Sequence, residues 1–326
     1  MDYVIWRQYM HYIVFDLEWN QAEGRIGHEG GLPFEIVEIG AIKLNRRMRI
    51  IDEFEEIIKP RIYPRMHFMT TKIIQLDKED LENGKEFPEV MENFLDWCGG
   101  KYRFCIWGTL DITELQRNMC YYGMDELTNK PLPFLDVQKL YSLAYEDGRA
   151  RRSLEYAVDE LGIEKDRPFH RANNDAYYTA KVLERIHKDH TDVESYLSYD
   201  LFMLPKDKHD EVKVKFKTYS KYISREFEDK TKAMEDKMVS STKCCVCGRQ
   251  TKKLIKWFSV NGRHYYYVGI CKRHGYVKAK VRMKKADDGN VFVVKTMKII
   301  DENGADQIRE KQEKLRAQRA ERRHRD

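Results

Sequence analysis

Two carboxylates, Asp16 and Glu18, stand one residue apart directly after the apolar run Tyr12-Ile13-Val14-Phe15. A short run of large apolar residues bounded by polar ones reads as a buried strand. Alternation along that strand turns positions 16 and 18 to the same face. Carboxylates held side by side repel, and burial penalises their charged forms further. Either a hard divalent cation with oxygen ligands compensates them, or the strand lies at a sheet edge and both acids face water. Two more acids and a histidine fall where helices are expected to begin. Asp111 ends Trp107-Gly108-Thr109-Leu110-Asp111, and His170 and Asp175 span Phe169-His170-Arg171-Ala172-Asn173-Asn174-Asp175. Singly, an acid in a first helical turn is stabilised by the helix dipole and needs no chemistry. In order, a D-x-E at a strand end, an Asp at a helix start and an H-x4-D at another helix start all lie at element ends, where α/β sites form. Four acids and one histidine suit two hard cations and a water molecule better than they suit zinc.

A second set has softer ligands. Cys244-x2-Cys247 and Cys271-x2-His274 are separated by 23 residues. Between them, two strand-like runs, Leu254 to Val260 and Arg263 to Ile270, are joined by the hairpin signal Asn261-Gly262. Two knuckles and a hairpin make four ligands for one tetrahedral zinc ion, with Cys245 out of phase as a spare. Four protein ligands leave no open position, so this Zn²⁺ is expected to be structural and to contribute folding energy. The alternative is unpaired, reduced cysteines in a small domain. Trp257, Tyr265, Tyr266 and Tyr267 lie among basic residues here, a pattern that suits single-stranded nucleic acid through phosphate contacts and base stacking. The same aromatics can equally be the core of the module.

The elements expected to position these residues alternate. Phe34 to Leu44 and Asp52 to Lys59 read as strands after the Gly24 to Pro33 loop, and hairpin-like succession predicts an antiparallel edge. Glu89 to Cys98 has helical spacing and is stopped by Gly99-Gly100. Tyr102 to Trp107 reads as a strand, Asp111 to Tyr122 as a helix, Leu135-Asp136-Val137 as a short element, and Ser153 to Leu161 and Asn174 to His190 as helices. Strands alternating with helices over residues 1–190 make one α/β domain with a mixed sheet. Residues 191–240 read as a charged connecting region with a helix near Tyr219 to Met238. Residues 241–300 form the zinc-binding β module, and 301–326 a charged helix or disordered tail.

Charged residues make up 35% of the 326 and mean hydropathy is −0.72. No apolar run approaches the ~20 residues that a membrane span needs. Met1 to Tyr12 lacks a basic n-region and a small-residue cleavage site. Seven cysteines, with Cys98, Cys105 and Cys120 scattered singly, do not make a secreted disulfide framework. The expectation is a cytoplasmic, reduced protein without membrane partners. Charge is unevenly split: residues 1–200 hold 26 Lys and Arg against 37 Asp and Glu, and residues 201–326 hold 33 against 17. An acidic half joined to a basic half suggests that catalysis and polyanion binding sit in different places. Basic tails can also be merely solvated.

The motifs Phe15-Asp16-Leu17-Glu18-Trp19-Asn20, Trp107-Gly108-Thr109-Leu110-Asp111 and His170-Arg171-Ala172-Asn173-Asn174-Asp175 resemble those of the DEDDh 3′-5′ exonucleases of the RNase T and DnaQ-like superfamily, closest to ERI-1-type and KapD-like members. Phe68 to Val90 resembles the loop and helix these enzymes carry between the first two motifs, and the likeness covers about residues 12–190. It implies a ribonuclease H-like fold with a mixed five-stranded sheet flanked by helices. It further implies an enzyme that hydrolyses phosphodiester bonds at 3′ ends of single-stranded nucleic acid and releases nucleoside 5′-monophosphates, RNA being favoured over DNA. Asp16, Glu18, Asp111 and Asp175 would hold two Mg²⁺ or Mn²⁺ ions ~3.5–4 Å apart. His170 would be the general base for the attacking water. Arg171 stands where a sister subgroup places tyrosine. Trp19 lies near the position of the terminal nucleotide in such enzymes, where it would stack on a base or belong to the core. The other readings are a DNA 3′-5′ exonuclease and a non-catalytic binding protein that retains the fold.

Overall fold

The run Tyr12 to Leu17 is apolar at nearly every position because its strand is buried on both faces. In the computed structural model, which describes residues 11–21, 32–74, 76, 78–148, 150–190, 193–216, 218–286 and 288–323, this strand is β1 (His11–Asn20) at the middle of a sheet. It pairs antiparallel with β2 (Glu35–Leu44), which pairs antiparallel with β3 (Ile50–Ile57). On its other side β1 runs parallel to β4 (Tyr102–Ile106), and β4 runs parallel to β5 (Pro133–Asp136). The antiparallel edge is therefore as expected. The sheet has six strands and not five, because β6 (Ser198–Tyr199) adds to β5 in antiparallel sense, giving the order β3-β2-β1-β4-β5-β6. Two residues are too few to leave a periodic signal, so this strand is set by its neighbour and not by its own pattern.

Helices cover both faces. Tyr12, Val14 and Ile42 pack with Ala176, Tyr178, Val182 and Ile186 of a long helix. Ile13, Phe15 and Leu17 pack on the opposite side with Phe87, Phe94 and Leu115. The elements in chain order are α1 (Phe68–Ile73), α2 (Lys78–Glu82), α3 (Phe87–Cys98), α4 (Leu110–Tyr121), α5 (Val137–Tyr145), α6 (Leu154–Glu160) and α7 (Ala172–Asp189). Period-two alternation puts Asp16 and Glu18 on the α7 side, continuing the face of Tyr12 and Val14. Most of the Gly24 to Pro33 loop, residues 24–31, lies outside the described residues.

The chain divides into two compact units, the first ending at Phe202 and the second beginning at Met203, with Asn129–Pro131 counted with the second. The second unit departs from expectation. Its sheet contains β7 (Val212–Lys215), β8 (Tyr219–Phe227), β9 (Lys252–Ser259), β10 (His264–Cys271), β11 (Gly275–Lys285) and β12 (Val291–Ile300), in the order β7-β8-β12-β11-β10-β9. Residues 191–240 are therefore not a connecting region: β7 and β8 belong to the same sheet as the cysteine-bearing strands. The helix expected over Tyr219 to Met238 is the strand β8 followed by the short α8 (Lys230–Glu235), which Asp229 caps by accepting from the Thr231 and Lys232 N–H groups. Tyr222 and Phe227 of β8 are buried against Val281, Val291 and Val293. A strand whose partner, β12, lies so far along the chain is favoured by contacts that local composition does not contain. The C-terminal residues form the helix α9 (Glu302–Arg323), with Ala305 and Ile308 buried against the sheet. Among the described residues no helix is long and apolar enough to cross a membrane.

Candidate active site

Carboxylate oxygens of Asp16, Glu18 and Asp175 come within 4.8 Å of one another. The first two are delivered by the end of β1, where Asp16 is paired with Gly40 and Glu18 with Glu38 of β2. Asp175 arrives because the start of α7 lies directly on β2. A Cβ built on Gly40 would stand 1.9 Å from the Asn173 nitrogen, so only glycine permits that approach. Glu38 holds the same helix end: fully buried, it accepts from Arg171 Nε at 2.8 Å and from the Ala172 N–H at 3.2 Å. Neither Glu38 nor Gly40 was singled out from sequence. The available signal was a glycine inside the strand-like run Phe34 to Leu44, which marks close backbone approach. The register shifts between Glu18 and Trp19, an irregularity of the kind that re-aims side chains at sites.

Asp111 lies in the first turn of α4 and is 7% exposed. It is the strongest charged neighbour of Asp16, and the backbone N–H of Leu17 favours its charged form. The four acids carry the electrostatic signature of enforced proximity. Burial first, then the charges of Asp111, Glu18 and Asp175, pushes Asp16 well above the usual carboxylate range. Burial, with Asp175 and Glu38 adding repulsion, pushes Glu18 up to about 8. Burial raises Asp111 to about 7 and Asp175 to about 6. Asp175 Oδ1 is buried with no hydrogen-bond partner among the described residues. An unpartnered oxygen among mutually repelling carboxylates is a donor set that a divalent cation fits.

His170 is exposed, and its backbone N–H donates to Asp175 Oδ2 at 3.3 Å. Its φ of 67° lies in the left-handed region, uncommon for a residue with a Cβ and typical of sites where surrounding structure over-determines the backbone. Trp19 is half-buried, its ring 5.3 Å from that of Phe34 and packed against the core, so its body is structural. Next to it, buried Asn20 donates to the carbonyls of Tyr63 and Arg65 at 2.7 and 2.9 Å and accepts from the His67 N–H at 2.8 Å. These bonds fix the loop leading into α1 beside the end of β1. Phe68 (59% exposed) and Leu110 (46%), at the starts of α1 and α4, present apolar side chains to solvent.

In the second unit, Cys244, Cys247, Cys271 and His274 bring their ligand atoms within 4.8 Å of one another. Cys244 Sγ is 3.6 Å from His274 Nδ1, Cys247 Sγ is 3.6 Å from Cys271 Sγ, and Cys271 Sγ is 3.7 Å from His274 Nδ1. Tetrahedral bonds of ~2.3 Å to sulfur and ~2.0 Å to nitrogen put ligand atoms about 3.5–3.8 Å apart, so the set fits zinc. Backbone N–H groups of Arg273 and His274 point at Cys271 Sγ and hold its thiol down, at about 6. Gly248 and Gly275 close the two knuckles with φ of 70° and 72°. Cys245 is outside the set; its thiol faces the Thr218 carbonyl at 3.8 Å. Tyr266 and Tyr267 are 8% and 2% exposed, and the Trp257 indole donates to the Ser240 carbonyl, so these aromatics are core and not a stacking platform.

The exonuclease family profile RNase_T matches residues 13–183. The rat 3′-5′ exoribonuclease 1 is 22% identical over 190 residues, covering 56% of this chain and 54% of its own length. The chain thus spans about half the length of the curated relatives of that name. The PolC-type DNA polymerase III of Lactococcus lactis is 24% identical over 212 residues, which cover 64% of this chain and 12% of the polymerase. Among solved structures, the nuclease domain of 3′hExo, a DEDDh family member bound to rAMP, superposes with a TM-score of 0.51 at 19% identity, over 59% of this chain and 97% of that domain. That likeness establishes a ribonuclease H-like α/β fold for the first unit.

Proposed function

Because the chain belongs to the RNase_T exonuclease family, we propose that it is a metal-dependent 3′-5′ exonuclease that removes nucleoside 5′-monophosphates from single-stranded nucleic acid, RNA in preference to DNA. The observation that carries this reading is the convergence of Asp16, Glu18 and Asp175 within 4.8 Å, with Asp111 beside Asp16. These four acids would hold two Mg²⁺ or Mn²⁺ ions. When bound, the ions supply charge neutralisation at the scissile phosphate and make a nucleophile available at neutral pH. His170, held in its left-handed conformation beside Asp175, takes the proton from the attacking water. Glu38 and Arg171 hold the helix end that carries Asp175 and so position it. Phe68 and Leu110, with the accessible edge of Trp19, suit the terminal base and sugar. The preference for RNA is supported by relatives named exoribonuclease; a DNA 3′-5′ exonuclease is the second reading, supported by the polymerase relative.

The four ligands Cys244, Cys247, Cys271 and His274 would bind one structural Zn²⁺, supported by their 3.6–3.7 Å spacings. Seven cysteines, none of them in a disulfide, suit a reducing, cytoplasmic setting. The test is hydrolysis of 5′-labelled single-stranded RNA and DNA with Mg²⁺. Asp175→Ala should abolish single-residue shortening, and His170→Ala should slow single-turnover cleavage ~10²–10⁴-fold while leaving Mg²⁺ binding intact. Robust cleavage by Asp175→Ala would sink the metal assignment, and an unchanged rate in His170→Ala would remove it as the base.

A further inference from the structure

Away from both ligand clusters, the second unit concentrates positive charge on one face of its sheet. β10, β11 and β12 pair in unbroken antiparallel register, so alternation assigns every residue to a face. One face carries Tyr267, Val277, Ala279, Val281, Val293 and Met297 into the core. On the other, His264 stands opposite Arg282 and Tyr266 opposite Lys280, while Lys278 faces Lys298 across the next ladder. No Asp or Glu stands on this face of the three strands. α9 crosses it through Ala305 and Ile308, buried with Tyr266 and Val268, and brings Lys311 to the same place. The ammonium groups of Lys311, Lys280 and Lys278 lie 5.0, 5.8 and 5.9 Å from the centre of the Tyr266 ring. One aromatic ring thus gathers three cations. Burial, then Lys280, Arg282, Lys311 and Arg263 in turn, holds His264 below its ordinary range, as a site crowded with positive charge should.

Lys278 and Lys298 stand directly opposite on the β11-β12 ladder, where like charges repel, so the face favours an anion. Its form identifies the anion. Alternate residues of β11 are about 6.6–6.8 Å apart, so Lys278, Lys280 and Arg282 form a row suited to successive phosphates of an extended strand better than to a single small anion. None of the exposed large hydrophobic residues stands on this face, which removes the apolar contact that a lipid surface would use.

We propose that the face centred on Lys280, Arg282 and Lys311 around Tyr266 binds the sugar-phosphate backbone of single-stranded nucleic acid. The choice of strand rests on the exonuclease reading; the charge and register do not. Because α9 covers Tyr266 and the opposite face of the sheet takes Trp257 and Tyr267 into the core, binding here is sequence-independent and steeply salt-dependent.

The test is fluorescence anisotropy of the full chain, in the Asp175→Ala background and without chelator, on a 20-nucleotide single-stranded RNA across a KCl series. The double substitution Lys280→Gln and Arg282→Gln should raise Kd about tenfold. It should lower the slope of log affinity against log salt by about 1.4, or ~0.7 for each lost phosphate contact. Lys311→Glu, at an exposed position of α9, should weaken binding in the same direction. Unchanged Kd and slope in both variants overturn the proposal. So does a loss confined to phosphatidylserine vesicles, which would assign the face to lipid. If the unsubstituted chain cleaves no strand while these variants still lose RNA affinity, the exonuclease reading falls and the binding face stands.

Discussion

The acidic cluster and the cysteine-histidine cluster of this chain are assembled by opposite means. Asp16, Glu18, Asp111 and Asp175 come from β1, α4 and α7, elements far apart in sequence that meet only when the sheet and its helices are complete. Cys244, Cys247, Cys271 and His274 come from two turns flanking a single hairpin, β9 and β10. The acids are brought together against their own repulsion and against burial, and their raised proton affinities are the record of that work. The thiols and imidazole already sit at tetrahedral spacing, with backbone N–H groups stabilising the thiolate of Cys271. In the first unit the core sustains the site. In the second, a metal would sustain a part of the core, since Cys244 and Cys271 are themselves buried against Tyr267, Val277 and Ala279.

That contrast is broken most directly by removing ligands. Cys247→Ser should abolish the cooperative unfolding transition of the second unit, because structural zinc contributes apparent binding energies of ~10–16 kcal/mol to small domains. Metal content by mass spectrometry and circular dichroism report it. A variant that retains one zinc per chain, or unfolds as the parent does, would show that the cluster is not a structural metal centre.

Gly40→Ala probes the other site without touching a carboxylate. Its Cβ would collide with the Asn173 backbone and lift the start of α7, displacing Asp175 from Asp16 and Glu18. A misplacement of about 1 Å costs on the order of 10²-fold in rate. The expected outcome is a kcat reduced on that scale with a substrate Kd close to the parent's. Full activity would mean that the helix end does not set the geometry.

The smallest effect sharpens the electrostatic half of the comparison. The carboxyls of Glu18, Asp111 and Asp175 are raised to about 8, 7 and 6. Folded carboxyls with raised values retain protons that the unfolded chain releases. Their stabilising contribution is present below the ordinary carboxylate range and is lost as pH rises through those values. The Tm of the first unit without divalent ions should therefore fall between pH 5 and 8.5. Mg²⁺ should restore more of it at pH 8.5 than at pH 6, since ligand oxygens must be deprotonated. Glu18→Gln should flatten the fall. An identical pH profile in that variant would mean that Glu18 does not carry it.

Sequence alone determined the types and order of the chemical groups: D-x-E at a strand end, Asp at a helix start, H-x4-D at another, and two knuckles around a hairpin. These are local patterns, and local backbone geometry places their members with respect to one another. Hydrophobic periodicity likewise placed β1 to β4 and the long helices within a few residues. Tertiary structure decided whatever depends on partners distant in the chain. Glu38 and Gly40 matter because α7 rests on β2, a contact that no window around either residue contains. Tyr219–Phe227 is a strand because β12 lies beside it, although its own composition also permits a helix. Tyr267 of β10 faces the core while Tyr266 shares the outer face with the lysines of β11, because register fixes which side of the sheet each takes. Composition could count those residues but could not orient them, since orientation is set by pairing and not by the residues themselves.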